Sequence, residues 1–272
     1  MFLGNDHLLK DFKKMAEANR LAHGYIFFGD PHIGKFTFAL QLANFLEYKE
    51  FSTPVKNLSE VLVIKESGID SVREIKNFLW KKPLNSLKRL VIVDDADSLT
   101  VEAQNAILKI TEEPPENSLI VLIVSNVDNI LPPIVSRLQK IYFSRISKKE
   151  ILKVLIDEKS IKKDRAVEIA EMASGRPGRA LGLIEKDFSE VEELIKKYLQ
   201  SSGYAKSQFI KNFIEEQKEK PELLDEFFES LLYKLMKDPI KNSRFIKSVL
   251  SRLFLIKSYN VNRRLQIEAI VN

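Results

Sequence analysis

Gly29, Gly34 and Lys35 fall within the stretch GDPHIGKFT at the spacing G-x-x-x-x-G-K-[ST]. In such a loop glycines let backbone N–H groups close around phosphate oxygens at a helix N-terminus, and the lysine adds a point charge near the outer phosphates. The next position calls for a hydroxyl to hold magnesium, and the chain has Phe36 there, with Thr37 one residue later. A phenyl ring cannot ligate a cation, and one step along a helix turns Thr37 by about 100° from the required direction. The pattern therefore predicts nucleotide binding weakened in its magnesium-dependent part, with slow or absent hydrolysis. The plainer alternative is a glycine turn ahead of an amphipathic helix.

A second group of chemical residues lies in RLVIVDD. An apolar strand ending in acid places Asp94 at the carboxyl edge of a sheet, where it can hold magnesium through water. Asp95 stands where a glutamate usually activates the attacking water, and it is one methylene shorter, which leaves it a weak candidate base.

These residues need a scaffold, and the pattern supplies one. YIFFG (25–29), EVLVIK (60–65), RLVIVDD (89–95), SLIVLIVSN (118–126) and KIYF (140–143) read as buried strands, as expected for a parallel sheet covered on both faces. Between them run helical stripes: Ala39, Leu42, Ala43 and Leu46, then Ala103, Ala106, Ile107 and Ile110, the latter stopped by Pro114 and Pro115. Repeated strand–helix units imply an α/β fold. Beyond Phe143 the strand signals vanish. Ser147 and Glu150 form a capping box, and Gly175 closes a helix. Three further apolar stripes follow: Leu194, Ile195, Tyr198, Leu199; Phe227, Phe228, Leu231, Leu232, Leu235; and Phe245, Ile246, Val249, Leu250, Leu253. Gly203, Lys220-Pro221 and Asp238-Pro239 mark the joints.

Bulk composition narrows the class. The 272 residues, 44% hydrophobic and 30% charged, suit a soluble globular protein of about two domains. No apolar run approaches the roughly 20 residues of a membrane span, and the N-terminus carries no signal pattern, so the expectation is a cytoplasmic protein without membrane contact. With no cysteine, disulfides and thiolate metal sites are excluded. Residues 1–146 hold 18 basic and 18 acidic side chains, whereas the last 36 residues hold eight and two. That bias suits either nucleic acid or a solvated basic surface, and charge alone does not decide between them.

Several strings together resemble one family. HGYIFFGDPHIGKFTFALQLANFL, IDSVREIKNFLWKKPLNSLKRLVIVDDADSLTVEAQNAILKITEEPP and LPPIVSRLQKIYF are similar to bacterial clamp-loader AAA+ subunits, the gamma/tau and delta-prime group of DNA polymerase III. ASGRPGRALGLIE resembles the family's lid and NVNRRLQIEAIV its last collar helix; elsewhere the carboxyl-terminal half matches only in helical character. The resemblance implies an AAA+ P-loop domain with a parallel sheet over residues 1–146, a small helical lid over 147–186 and an all-α collar domain over 187–272. It implies partners of the gamma/tau and delta kinds in a pentameric ring, a sliding clamp, and primer-template DNA reached through the complex.

Residue by residue, it implies that Ser136 and Arg137 match the Ser-Arg-Cys motif whose arginine acts in trans on a neighbour's site, with Leu138 replacing the cysteine. Nucleotide contacts fall to Gly29, Gly34, Lys35, Thr37 and Arg179, and the cofactors implied are ATP and magnesium, the metal through Asp94. For Asn126 two readings stand, a sensor near the terminal phosphate or a satisfied strand-end asparagine. His23 reads as packing near a base pocket.

The departures point to the delta-prime type. Gly178 occupies the place of the lid arginine of ATP-hydrolysing subunits, with Arg176 and Arg179 out of register. Cysteines of a zinc module usually follow the first helix, and here residues 47–60 leave no room for one, so no zinc is expected; the long extra domains of tau are also missing. Competing readings are an ATP-hydrolysing gamma-type subunit and a stand-alone P-loop NTPase or kinase. A third, a DNA-binding AAA+ initiator, lacks a concentrated basic module.

Overall fold

The structure is a computed structural model, and it describes residues 4–65, 69–184, 189–216, 221–236, 238–258 and 263–270. The chain divides into two compact units, Met1–Ile184 and Glu185–Asn272.

In the first unit the order is α1 (Asp6–Glu17), β1 (Gly24–Phe28), α2 (Lys35–Tyr48), β2 (Val61–Ile64), α3 (Ile69–Leu79), β3 (Arg89–Val93), α4 (Val101–Glu112), β4 (Ser118–Val124), α5 (Pro132–Arg137), β5 (Gln139–Tyr142), α6 (Lys148–Lys153), α7 (Lys163–Ala173) and α8 (Pro177–Ile184). Each apolar run expected to be a strand is one. They pair in the order β2-β3-β4-β1-β5, and every pairing is parallel. Side chains alternate between faces, as a pleated strand requires. Tyr25, Phe27, Leu90 and Ile92 join Phe12, Phe38, Leu42 and Phe143 in one core beneath α1 and α2. Ile26, Val91 and Val93 join Ile75, Ile107 and Ile134 in the other, beneath α3, α4 and α5.

Local chemistry sets the helix ends. Thr100 caps α4 by accepting from Ala103 N–H at 3.2 Å, and α4 stops ahead of Pro114. Pro132 and Pro133 open α5, where a missing N–H costs nothing. The capping box of Ser147 and Glu150 forms as expected at α6. Gly175 is not itself the residue that closes α7. Ser174 takes that place at φ 50°, and Gly175 follows at φ 80°. Both lie in the left-handed region, which lets the chain turn sharply out of the helix.

The second unit contains α9 (Ser189–Gln200), α10 (Tyr204–Glu216), α11 (Pro221–Leu235), α12 (Ser243–Ser258) and α13 (Arg263–Glu268). Its core gathers Ile195, Tyr198, Phe213, Phe227, Phe228, Leu231 and Val249. The Tyr198 hydroxyl is buried with no hydrogen-bond partner, and burial pushes its pKa up to about 12. Leu199 and Leu250, expected on the apolar stripes, are 43% and 51% exposed, so those stripes are narrower than the sequence pattern. Lys220, and residues 260–262 and 271 of the expected last collar helix, lie outside the described residues. No helix among the described residues is long and apolar enough to cross a membrane.

Candidate functional site

Because the sheet is parallel, all of its strands deliver their following loops to one edge, and β1 lies beside β4 rather than β2, so connections diverge at that point. There the chain leaves β1 through Gly29–Gly34 and enters α2. Gly29 has φ 138°, and a Cβ on it would stand 2.5 Å from the Phe143 carbonyl oxygen, so the loop crosses the end of β5 too closely for any side chain. His32 and Gly34, at φ 62° and 101°, complete the turn.

Lys35 opens α2 and is only 6% exposed. Its ammonium donates to the Gly29 carbonyl and, at 2.9 Å, to that of Asp30. Burial pushes its pKa down, while the carboxylates of Asp97, Asp30, Asp94 and Asp95 pull it back up. A cation that has already left water and is held by backbone dipoles is prepared to meet a polyanion.

Around it lies a cleft of about 370 Å³. The structure brings Gly34, Lys35, Phe36, Thr37, Asp94 and Asp95 together along its walls, with Asp97, Ser125 and Gly178. Thr37 thus reaches the cleft although Phe36 holds the preceding position. The Asp94 N–H donates to the Ile64 carbonyl at 2.9 Å. Burial is the largest influence on its carboxyl and pushes the pKa up, opposed by the Asp95 backbone and the Lys65 charge. Asp95 is exposed at φ 54°; its carbonyl accepts from the Ser98 N–H at 3.0 Å and from the Ser98 hydroxyl at 2.8 Å.

Other expected site residues stand elsewhere. The Asn126 side chain accepts from the Asp128 N–H at 3.1 Å and caps a short turn, and Ser125 lines the cleft in its stead. Arg179 is half-buried on α8, one residue beyond the lining Gly178. His23 precedes the amino end of β1, whereas the loop follows its carboxyl end. Five strand residues span about 16 Å, so His23 stands well away from the loop, and it is not among the residues lining the cleft. Arg137 ends α5 outside the lining. Its guanidinium donates to the Pro133 carbonyl at 2.9 Å and pairs with Glu112 at 3.1 Å, on α4.

Three contacts were not read from the sequence. Arg145 pairs with Asp30 at 2.6 Å, and that hydrogen bond is the main reason the Asp30 carboxyl lies below its ordinary pKa. Asp97 accepts from the Ser125 N–H at 2.5 Å, the Asn126 N–H at 3.1 Å and the Asn129 amide at 3.2 Å, tying β3 to the end of β4. Gly178 donates its N–H to the His32 carbonyl at 2.8 Å, and a Cβ at Gly178 would stand 2.8 Å from that same oxygen. The position where the resemblance calls for a lid arginine thus makes a backbone-to-backbone contact with the loop. The acidic string DDAD was a local signal for Asp97; nothing local marked Arg145 or the Gly178 contact.

The residues fit a nucleotide's phosphates: a glycine turn, a helix N-terminus, a buried lysine and a cleft of adequate size. They do not fit magnesium at the usual position, where the side chain is a phenyl ring. Among the described residues no three His, Asp or Glu side chains converge to hold a metal ion.

A model of the family described as DNA polymerase III, delta subunit, matches residues 4–147. The chain is 28% identical over 215 residues to DNA polymerase III subunit gamma/tau of Mycoplasma genitalium, covering 71% of this chain and 36% of that protein. It is 33% identical over 180 residues to replication factor C small subunit 2 of Pyrobaculum aerophilum, covering 64% and 55%. It thus spans between about a third and just over half of these relatives' lengths. Among solved structures, a DNA polymerase III gamma subunit-related protein from Thermotoga maritima covers 97% of each chain at a TM-score of 0.51 and 23% identity. The RuvB Holliday junction branch migration motor of the same organism covers 97% of this chain and 88% of its own, at a TM-score of 0.56 and 16% identity. At these identities the structural likeness speaks for the fold alone.

Proposed function

The chain belongs to the DNA polymerase III delta-subunit family of clamp-loader AAA+ subunits, and from that premise we propose that it acts in DNA replication as a delta-prime-type subunit. In this reading residues 1–146 form the AAA+ domain, 147–186 the lid and 187–272 the collar. The partners are gamma/tau and delta subunits in a pentameric ring, which places a sliding clamp on primer-template DNA. The chain does its work beside its neighbours' chemistry more than in its own cleft.

Its own residues divide the task. The amides of the Gly29–Gly34 turn and the Lys35 ammonium hold phosphate, and bound ATP supplies the polyphosphate charge that this loop is built to meet. Asp94 is the carboxylate that would face a metal, but burial makes it more reluctant to ionise than an ordinary aspartate. Asp95, at the rim and short of a glutamate's reach, is a weak base. Binding without efficient turnover follows.

The observation that carries the reading is the position of Arg137. An arginine is permanently charged, forks onto phosphate oxygens and stabilises charge developing in a transition state. Here it stands exposed at the end of α5, outside the cleft of its own chain and steadied by Glu112. A cation so placed is available to a site on an adjoining subunit. The test is to mix Arg137→Ala protein with its partner ATPase and measure DNA-stimulated hydrolysis. A large drop with assembly intact supports the reading; unchanged turnover removes it.

One observation favours a second reading, an ATP-hydrolysing gamma-type subunit: the Thr37 side of α2 does line the cleft. Reconstitution separates the two, since one copy per complex fits delta-prime and several copies fit gamma.

A further inference from the structure

Position 36 is where the loop pattern asks for a metal-holding hydroxyl, and this chain has built something else there. The ring of Phe36 packs against the first core and lines the cleft. Over that ring, 5.8 Å from its centroid, stands the ammonium of Lys65. The sheet dictates the meeting. β2 and β3 pair in parallel with Ile64 opposite Val93, and the Asp94 N–H bonds to the Ile64 carbonyl, so Lys65 leaves β2 beside Asp94 at the same carboxyl edge. Phe36 and Asp94 line the cleft, and the Lys65 ammonium stands over the ring just outside that lining, close enough for its charge to bear on the Asp94 carboxyl. The lysine is exposed, so its charge is carried there without the cost of leaving water.

At this corner the usual hydroxyl ligand of a dication is replaced by a ring that cannot coordinate, and the ammonium offsets part of the negative charge of Asp94, Asp95 and Asp97 that would draw a dication in. The same corner suits a polyphosphate, since an ammonium is a compact charge on a flexible stem. We propose that Lys65 is the built-in countercharge of this cleft, so that the chain holds a nucleotide polyphosphate without a divalent cation. The inference rests on the reading of the loop as a nucleotide site and adds the residue that replaces the metal. With Lys35 on the loop side and Lys65 on the β2 side, the phosphates would be neutralised from two directions by side chains alone.

The test is equilibrium binding of a fluorescent ATP analogue to the full chain, once in EDTA and once with magnesium, for the wild type, Lys65→Gln and Lys65→Arg. The wild type should bind in EDTA and change little when magnesium is added. Lys65→Gln should lose about tenfold or more in EDTA, the scale of one charge-assisted hydrogen bond, and Lys65→Arg should recover most of it. Lys65 is exposed, so the variants fold, and circular dichroism checks this independently. Wild-type binding that needs magnesium, or Lys65→Gln binding as well as wild type in EDTA, overturns the inference and leaves the nucleotide site standing. No binding under any condition overturns the site reading and the inference with it.

Discussion

Lys35 and Arg137 are both cations at helix termini, and the fold treats them oppositely. Lys35 begins its helix, is almost fully buried and is held by the carbonyls of its own loop. Arg137 ends its helix, is exposed and leans on a carboxylate from a neighbouring helix. A buried ammonium acts where the protein has already removed water, so it serves whatever enters that cleft. An exposed guanidinium on a surface ion pair costs little to redirect, because such pairs contribute at most about 1 kcal/mol. In the proposed reading the contrast separates holding a ligand from lending a charge, and each half can be attacked separately.

The sharpest break is Arg137→Ala, which should lower the partner's DNA-stimulated ATP turnover by about a thousandfold while leaving this chain's own nucleotide affinity untouched. Lys35→Ala should do the reverse. Its nucleotide affinity, read by equilibrium binding, should fall about 10- to 100-fold, with the partner's turnover much less affected. Gly178→Arg tests whether the lid position can be restored. A side chain there meets the His32 carbonyl, so the thermal midpoint should drop by the equivalent of about 1–3 kcal/mol and no ATPase should be gained. Glu112→Gln removes the prop under Arg137. Partner turnover should change by only a few-fold, and chemical denaturation should show a cost of about 1 kcal/mol or less.

The smallest effect is in acid. Arg145 lowers the Asp30 pKa in the folded state, so the contribution of that pair is present above the ordinary aspartate value. It is lost as pH falls through the depressed one. Thermal midpoints measured through that range should show a shallower acid decline for Asp30→Asn than for the wild type.

What the sequence made legible was local. The glycine spacing, the acid after RLVIV and the proline stops each depend on a few adjacent residues, and the structure has the loop, the β3 edge and the end of α4 where those residues put them. The parallel sheet was legible because strands buried on both faces need unbroken apolar runs. Contacts made across the chain were not. Arg145 and Asp30 are 115 positions apart, and Asp97 meets Ser125 across 28. No run or period marks such pairs, because only the folded sheet edge brings them together. Asn126 illustrates a subtler limit: its type left two readings open, a sensor or a satisfied strand-end asparagine, and its side chain caps a short turn, in keeping with the second. Leu199 and Leu250 show that a helical period marks a face without fixing how much of it a partner covers.

Gly29 has a bearing on how relatives of this chain should be compared. Its backbone passes so near the Phe143 carbonyl that alanine would be rejected even by a lineage with no use for nucleotides. Retention of that glycine among descendants would record foldability and say nothing about ligand. The informative column is the one occupied by Phe36, where threonine or serine would mark lineages whose loop can hold a metal.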